Sequence, residues 1–466
     1  MKSLDKQESF DPLSIALVVI MSVSIVASYI GLNLIYNIED VDDAWSLSFM
    51  YNAFVRHIPP ESTFGGGMAN LNFFGMTQAY VYAGILNCVG WTKGNSHLVS
   101  AFFMLLASCT WYGILRKLNF SRKVSLYFCL LVLWCEPFFR VALLPRPEAL
   151  TFFFVSLAFY FLVCERFYFP AGLLAAVAVE NHPMGIVFFV YALAYAASRR
   201  AEYWKDRRLL ARKALLLAAG VACGAVYYLA IHFHYLHQSA HIVRQGATEL
   251  AGSVLYQYFF VCVNYYRHIA DFVFFCLCLV LYFWKGLFRE NRFVLFFLLF
   301  LVAANFVNPR GNYEYSLYFY PGFLLLSLFV FEKLKRPEWA AAILFLFFFA
   351  YNLSIVYRKH AYDFNAYTAT LRSAVPKDTI QVVGSTNEWY AFRDREYYPA
   401  IITYNFDTAA PSFYLIEGND YRLGHAGDMR KVPFREQIEH RYSGTPVASV
   451  AVNGERFDIE LMKKSR

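Results

Sequence analysis

Four carboxylates stand within five positions of the chain, at Glu39, Asp40, Asp42 and Asp43. They directly follow a long apolar run, and ionisable groups this close to hydrocarbon are costly unless they serve a site. A carboxylate held beside an acceptor hydroxyl can take its proton as a general base. The alternative role is structural, because Asp42 or Asp43 can accept backbone N–H bonds as the cap of the helix that follows. The two roles are compatible, since a capping carboxylate is also held rigidly.

Three further polar clusters interrupt the apolar sequence, at residues 140–148, 180–183 and 308–315. The first contains Arg146 between two prolines, and the third contains Arg310. A guanidinium binds a phosphate through two parallel charge-assisted hydrogen bonds, so both arginines are candidates for holding an anion. Each cluster alone is also typical of an interfacial loop, whose tyrosines belong to the aromatic belt of a membrane protein.

The composition places these clusters in a membrane protein. Of 466 residues, 58% are apolar and 16% are charged, and the mean hydropathy is +0.38. Soluble domains contain about 45–50% apolar and about 25% charged residues. Disorder is excluded as well, because 48 Phe and 35 Tyr bury readily. The formal charge of +8 falls mostly in short loops between apolar runs, so it reports orientation in a bilayer, and no nucleic-acid partner is expected.

About eleven apolar runs are candidates for membrane spans, since a helix needs about 20 residues to cross roughly 30 Å of hydrocarbon. The first lacks a cleavage site for a signal peptidase, so we expect it to remain as an anchor. The runs are residues 13–36, 98–115, 124–139, 149–164, 169–179, 184–197, 214–232, 269–284, 293–307, 317–331 and 339–357. We therefore predict an all-α polytopic membrane protein.

Basic residues in alternate loops predict the orientation of these spans. With a cytosolic amino terminus, every longer inner loop is basic, as the positive-inside rule requires. These inner loops are residues 116–123, 199–213, 285–292 and 333–336. The outer face then receives residues 39–97, residues 233–268 and everything after Tyr357. All four polar clusters fall on this outer face, where they can converge on one site.

The tail from Arg358 to Arg466 differs from the rest because it is polar and punctuated by turn residues. Short β-type runs and one helix are predicted within it, at residues 379–383, 413–416, 447–452, 457–461 and 364–373. We predict a small extracytoplasmic α/β domain at 358–466. It follows a transmembrane domain at 1–357, whose first outer loop covers about residues 37–97.

The order of these features resembles the GT-C glycosyltransferases. A first span is followed by the acidic pair Asp42 and Asp43 and by an amphipathic helix in a long outer loop. The same loop continues with the glycines 65–67 and a half-buried apolar helix at residues 73–91. The resemblance extends over about the first 330 residues.

Within that superfamily, the chain is most similar to the branch of protein O-mannosyltransferases, lipid A aminoarabinose transferases and actinobacterial arabinofuranosyltransferases. In that branch an Arg-Pro-Glu or Arg-Pro-Asp element precedes the fourth span, as Arg146, Pro147 and Glu148 do here. A His-Pro element after a short span is also typical of the branch and matches His182 and Pro183.

The resemblance implies a glycosyltransferase that moves a sugar from a polyprenyl-phosphate donor to an extracytoplasmic glycan, lipid or protein. Such a donor already has a good leaving group, so the site needs a base at the acceptor and cations at the phosphate. We expect Asp42 to be the base, with Asp43 orienting it or contacting the acceptor. Direct displacement with a single base inverts the anomeric configuration.

The remaining site residues follow from the same resemblance. We expect Arg146 and Arg310 to hold the donor phosphate. Four further residues are expected to shape the pocket, namely Glu148, His182, Tyr313 and Tyr320.

No cofactor is expected, because the lipid-monophosphosugar branch generally works without a metal. A divalent ion held by carboxylates, as in the oligosaccharyltransferase branch, is the alternative. His234, His237 and His241 fall on one helical face at a spacing that could bind zinc. Histidines in this pattern are more often interfacial and merely polar.

Two rival functions remain open at the level of sequence. A transporter or flippase of lipid-linked glycans would use charged residues inside its spans and often inverted repeats. Here the ionisable residues gather at one outer mouth, which favours an enzyme. A polysaccharide polymerase or ligase usually has its large loop late in the chain, whereas the large loop here is the first. The carboxyl-terminal residues carry no retention signal, which favours a bacterial plasma membrane with the site on the periplasmic side.

Overall fold

The computed structural model describes most of the chain, and its elements are numbered here in chain order. The described residues are 10–35, 41–57, 75–233, 269–307, 317–359, 363–378, 380–384, 388–399, 411–418, 438 and 440–465. Within these, the backbone alone is described at 32–35, 41–45, 269, 272, 305–307, 355–359 and 398–399.

Each of the eleven predicted apolar runs coincides with a helix. These helices are α1 (Pro12–Ile35), α4 (Lys93–Lys117), α5 (Arg122–Trp134) with α6 (Glu136–Ala142), α7 (Pro147–Val163), α8 (Tyr168–Asn181), α9 (Val187–Ser198), α11 (Arg207–His232), α12 (Ile269–Trp284), α13 (Arg292–Val307), α14 (Tyr320–Lys333) and α15 (Pro337–Lys359). The remaining α-helices are α2 (Val41–Phe54), α3 (Met76–Val89), α10 (Arg200–Lys205), α16 (Phe364–Ala374) and α17 (Trp389–Phe392).

Four of the described helices, α1, α4, α11 and α15, are long and apolar enough to cross a membrane alone. The pair α5 and α6 is bent by 60° and makes a fifth candidate when counted as one span. Others, such as α7 and α13, are equally apolar but shorter. The predicted class, a mostly helical membrane protein with a small carboxyl-terminal sheet, is therefore confirmed, whereas the count of eleven spans stays a prediction.

Polar side chains in the loops start several of these helices. The side chain of Thr92 accepts a bond from the backbone N of Asn95 at 3.1 Å, and Asp206 accepts one from Leu209 at 2.9 Å. Both bonds satisfy N–H groups that have no partner within the first helical turn. Pro147 begins α7, a position where a missing N–H costs nothing and a fixed φ favours the helix.

Aromatic side chains fill the core between the helices. Trp111 of α4 is fully buried, and its ring lies 5.2 Å from that of Phe128 and 5.8 Å from that of Tyr191. The rings of Phe159 and Phe297 lie 5.9 and 6.1 Å away. This cluster joins α4, α5, α7, α9 and α13, so a single tryptophan fixes the spacing of five helices.

Glycines allow α8 and α11 to pack backbone against backbone. A Cβ at Gly220 of α11 would lie 2.1 Å from the carbonyl oxygen of Phe169 in α8. A Cβ at Gly172 of α8 would lie 2.0 Å from the carbonyl oxygen of Leu217, so neither position admits a side chain. The two helices run parallel, and their carboxyl-terminal ends therefore lie side by side near the candidate site.

The carboxyl-terminal region forms a five-stranded sheet in the order β2-β1-β3-β5-β4. The strands are β1 (Gln381–Gly384), β2 (Tyr397–Pro399), β3 (Ser412–Gly418), β4 (Tyr442–Val452) and β5 (Glu455–Lys464). β1 is parallel to β2 and β3, whereas β5 is antiparallel to β3 and β4. Asn453 and Gly454 join β4 to β5 with φ values of 54° and 79°, the left-handed pair that a two-residue hairpin requires.

This carboxyl-terminal sheet region packs on the helices of the first outer loop. The ring of Tyr51 in α2 lies 5.7 Å from that of Trp389 in α17 and 5.3 Å from that of Trp91. Arg393 donates a hydrogen bond to the carbonyl oxygen of Trp91. The sheet region therefore holds the carboxyl-terminal half of α2 in place. The predicted domain boundary at residue 357 stays a prediction.

Candidate functional site

A buried ion pair, Arg146 with Glu148, lies at the start of α7. Nη2 of Arg146 is 2.7 Å from Oε1 of Glu148, and Nε is 3.2 Å from Oε2. The two side chains are only 9% and 1% exposed. Two parallel bonds fix the plane of the guanidinium, which is the geometry that favours recognition of an oxyanion. Glu148 also stands in the first turn of α7, where the helix dipole stabilises a negative charge.

Hydrogen bonds from three neighbouring helices hold the turn that carries this pair. Each donor is a side chain, and each acceptor is a backbone carbonyl of the turn. The three bonds are Ser100 Oγ to Leu144 at 2.5 Å, Gln78 Nε2 to Pro145 at 2.7 Å and Asn181 Nδ2 to Pro147 at 2.9 Å. Because prolines at 145 and 147 restrict the backbone as well, the guanidinium of Arg146 is preorganised.

Glu180 has a structural role that the sequence did not reveal. Its carboxylate accepts the backbone N–H groups of Met76 at 3.0 Å and Thr77 at 3.2 Å, and so caps α3. It also accepts the hydroxyl of Thr77 and lies 2.9 Å from Nε2 of His232. Glu180 and His232 are both fully buried. One carboxylate thus ties α3 to the carboxyl-terminal ends of α8 and α11.

His182 lies next to the ion pair and is the third residue of this cluster. Its Nδ1 accepts the backbone N–H of Met184 at 3.2 Å, so the neutral ring carries its proton on Nε2. It is close enough to Glu148 for an electrostatic interaction. The structure therefore brings together three of the predicted residues, Arg146, Glu148 and His182.

Tyr320 belongs to a second buried cluster. Its hydroxyl donates to Oδ2 of Asp271 at 2.7 Å. Glu136 accepts a bond from the hydroxyl of Tyr351 at 3.1 Å and interacts electrostatically with Tyr320. Asp271 and Glu136 are only 2% and 3% exposed. Neither carboxylate was predicted, although a lone acid inside an apolar run is a recognised signal of a functional or paired group.

The two clusters lie at the two ends of one short segment. Glu136 begins α6, and Arg146 follows four residues after α6 ends at Ala142. A helix of 7 residues is about 10 Å long, so the two clusters are separated by roughly the length of α6. They are neighbours, but none of the contacts described above joins one to the other. The chain bends by 60° between α5 and α6, directly before Glu136.

The structure does not describe the side chain of the predicted base, Asp42, or that of the second arginine, Arg310. Asp42 and Asp43 stand inside the first turn of α2, which begins at Val41, so neither holds the N-cap position that precedes the helix. Their side chains lie outside the described part of the chain, as do Arg310 and Tyr313. The roles of these four residues stay predictions.

Among the described residues, no group of three or more His, Cys, Asp or Glu side chains has an arrangement that could hold a metal ion. His232 pairs with Glu180 and is fully buried. His234, His237 and His241 lie outside the described residues, so the zinc alternative stays open.

The chain resembles known proteins in its architecture and not in its sequence. No protein-family model and no curated protein sequence matches the chain. The crystal structure of ArnT from Cupriavidus metallidurans in the apo state has a TM-score of 0.56 at 10% identity, covering 96% of this chain and 98% of that one. ArnT bound to undecaprenyl phosphate gives a TM-score of 0.59 at 10% identity, covering 95% and 98%. This chain has the GT-C fold.

The GT-C fold confirms the predicted resemblance at the level of architecture, and the chain is a multi-pass membrane protein. The match also reaches further than the sequence motifs, which ended near residue 330. A likeness over 96% of the chain includes most of the carboxyl-terminal sheet region.

Proposed function

We propose that this chain is an integral-membrane glycosyltransferase that moves a sugar from a polyprenyl-phosphate donor to an extracytoplasmic acceptor. The observation that carries the proposal is the buried, bidentate Arg146–Glu148 pair at the start of α7 in a chain with the GT-C fold. The ArnT structure with undecaprenyl phosphate supports the choice of donor, because it has the same fold and contains a polyprenyl phosphate.

In the proposed reaction, the acceptor hydroxyl attacks the anomeric carbon of the donor sugar. The new bond joins the acceptor oxygen to that carbon, while the bond from the carbon to the phosphate oxygen breaks. The hydroxyl proton goes to Asp42, and the electron pair of the broken bond stays on the polyprenyl phosphate. Because the attack is a direct displacement, the product has the inverted anomeric configuration.

Arg146 is proposed to bind the donor phosphate and to stabilise the charge that grows on it, together with Arg310. Preorganised donors at such a position avoid reorganisation during the reaction and account for a large share of catalysis. Glu148 acts as a positioning residue, since its two bonds hold the guanidinium plane of Arg146. His182, Tyr313 and Tyr320 are proposed to line the sugar pocket.

The sugar is proposed to be a hexose or a pentose, and the acceptor a glycan, lipid or protein outside the cytosol. The proposed site of action is the bacterial plasma membrane, with the Arg146–Glu148 pair and the sheet region on the periplasmic side. No cofactor is proposed for the reaction, and a divalent metal remains the alternative.

The test is donor consumption by the purified protein. The protein in lipid nanodiscs is incubated with a panel of radiolabelled polyprenyl-phosphate sugars, and loss of each donor is measured. We expect one donor to be consumed and Asp42→Asn to lower the rate by about 10²–10⁴-fold, the usual contribution of a general base. Asp458→Asn is the matched control, because Asp458 lies on β5 and pairs with Arg456 at 3.1 Å.

Two results would contradict the proposal. Normal transfer by Asp42→Asn would remove Asp42 from the role of base. Consumption of no donor, together with uptake of an intact lipid-linked glycan by vesicles that contain the protein, would favour a transporter or flippase.

A further inference from the structure

A cavity of about 730 Å³ opens at the opposite end of the molecule from the Arg146–Glu148 pair. Arg146 directly precedes α7, whereas Val163 at the other end of α7 lines the cavity. A helix of 17 residues is about 25 Å long, so the two sites lie on opposite membrane faces. By the positive-inside rule, the cavity belongs to the cytosolic face.

Basic side chains dominate the wall of this cavity, which we name the basic vestibule. Five basic residues line it, namely Lys117, Arg199, Arg289, Arg292 and Lys333. Three carboxylates also line it, namely Glu165, Glu290 and Glu332. The cations therefore outnumber the anions, and the pairing of each charge determines where the excess lies.

Glu165 is neutralised by its own partners. Its carboxylate lies 3.2 Å from Nη2 of Arg199 and 3.0 Å from Nζ of Lys213, and it accepts the hydroxyl of Tyr195 at 2.7 Å. Burial alone would raise the pKa of Glu165, but the bonds from Tyr195 and Lys213 outweigh it and lower the pKa. Glu165 is thus ionised at neutral pH and compensates Arg199.

The remaining basic residues carry the excess charge. Lys333 pairs with Glu290 at 2.7 Å. Lys117, Arg289 and Arg292 are exposed, and within the described part of the chain none of them forms an ion pair with a carboxylate. Glu332 also lines the cavity, so five cations face three carboxylates and the wall carries an excess of two positive charges, which favours the binding of an anion.

Two exposed tryptophans on the same side of the molecule indicate the level of the lipid headgroups. Trp204 and Trp284 are 74% and 76% exposed. Arg207 lies 5.1 Å over the ring of Trp204, and Lys285 lies 5.3 Å over the ring of Trp284. Tryptophan is typical of the membrane interface, where its ring sits among headgroups. The basic vestibule therefore opens at headgroup depth.

We propose that the basic vestibule binds the phosphate headgroup of an anionic phospholipid from the cytosolic leaflet. Basic pockets between helices on that face are suited to anionic headgroups, and a lipid phosphate there would meet Lys117, Arg289 and Arg292. The proposed lipid is separate from the polyprenyl-phosphate donor, whose site is at the other end of α7. This inference does not depend on the glycosyltransferase proposal.

The test compares two triple variants that each remove three positive charges from the same face. The first is Lys117→Gln, Arg289→Gln and Arg292→Gln, which removes the three vestibule cations that form no ion pair within the described part of the chain. The control is Lys205→Gln, Arg208→Gln and Arg212→Gln, three exposed basic residues outside the cavity wall. Binding of phosphatidylglycerol to delipidated protein is titrated by native mass spectrometry, with phosphatidylcholine and inorganic phosphate as further probes. Thermal unfolding verifies that both variants fold.

We expect the vestibule variant to bind phosphatidylglycerol at least tenfold more weakly than the parent chain, and the control variant to stay within twofold. Phosphatidylcholine should not bind at the vestibule of the parent chain or of either variant. Equal losses in both variants would overturn the proposal, because they would indicate diffuse attraction to the whole face. Inorganic phosphate that displaces the lipid at equal concentration would overturn it too, since the site would then recognise free phosphate.

Discussion

Glu180 and His232 are joined by a buried hydrogen bond of 2.9 Å, and the same carboxylate caps the first turn of α3. The bond connects three elements that are far apart in sequence. α3 belongs to the first outer loop, whereas Glu180 and His232 end two parallel helices. Asn181 directly follows Glu180, and its side chain donates a hydrogen bond to the carbonyl oxygen of Pro147. The end of α8 therefore also supports the turn that carries Arg146.

Removing this carboxylate should destabilise the protein strongly. In Glu180→Ala the backbone N–H groups of Met76 and Thr77 lose their cap, and His232 loses its hydrogen bond to Glu180. Each buried donor left without an acceptor costs about 1–3 kcal/mol, so we expect a loss of roughly 3 kcal/mol or more in the free energy of unfolding. Glu180→Gln retains one oxygen for the cap and should lose less. Asp394→Ala, which breaks an exposed ion pair with Arg372, is the control and should cost under about 1 kcal/mol in thermal unfolding.

A single methyl group between α8 and α11 should have a similar effect. In Gly220→Ala the new Cβ would meet the carbonyl oxygen of Phe169 at 2.1 Å, so the helices must separate. Gly84→Ala in α3 is the matched control, because nothing lies within 4 Å of its Cβ. Alanine favours a helix over glycine by about 0.5–1 kcal/mol, so Gly84→Ala should be neutral or stabilising. Equal melting temperatures for the two variants would contradict the close packing.

Most of the fold could be predicted from the sequence, because the periodicity and length of apolar runs are local properties. All eleven runs coincide with helices, and the strands β1, β3, β4 and β5 overlap predicted β-type runs. β2 was missed, since it has only three residues and contains Pro399, which is unusual within a strand. The bend at Cys135 was missed as well, although Pro137 within the run 124–139 is a local signal for a break in the helix.

The site was predictable only where its residues are close in sequence. Arg146 and Glu148 are two positions apart between prolines, and the sequence placed them at one mouth. Glu180 and Met76 are 104 positions apart, and no local pattern connects a helix cap to so distant a carboxylate. The pairing of Asp271 with Tyr320 joins two helices in the same way.

The predicted pocket role of Tyr320 can be separated from its structural role. Tyr320→Phe removes the hydroxyl that donates to Asp271 at 2.7 Å and should lower stability by about 1–2 kcal/mol. If Tyr320 also lines the sugar pocket, the KM for the donor should rise at least threefold at a temperature where the variant is folded. Tyr191→Phe is the control, because its buried hydroxyl donates to the carbonyl oxygen of Tyr318 at 2.5 Å. A KM change shared by both variants would show that only packing is affected.

A double-mutant cycle at Arg146 and Glu148 separates phosphate binding from stability. Removing one partner of a buried ion pair leaves the other charge uncompensated and costs about 3–5 kcal/mol. Arg146→Gln and Glu148→Gln should therefore each lower the melting temperature markedly. The double variant carries no buried charge at these positions and should recover much of that loss.

Donor consumption should follow a different pattern in the same cycle. If the guanidinium of Arg146 holds the donor phosphate, the double variant stays inactive although it is stable again. Arg146→Lys keeps the charge but loses the planar fork, so we expect a smaller loss of kcat/KM than in Arg146→Gln. A double variant that regains both its stability and its donor consumption would show that the ion pair only supports the turn between α6 and α7, and the phosphate would then have to be held elsewhere.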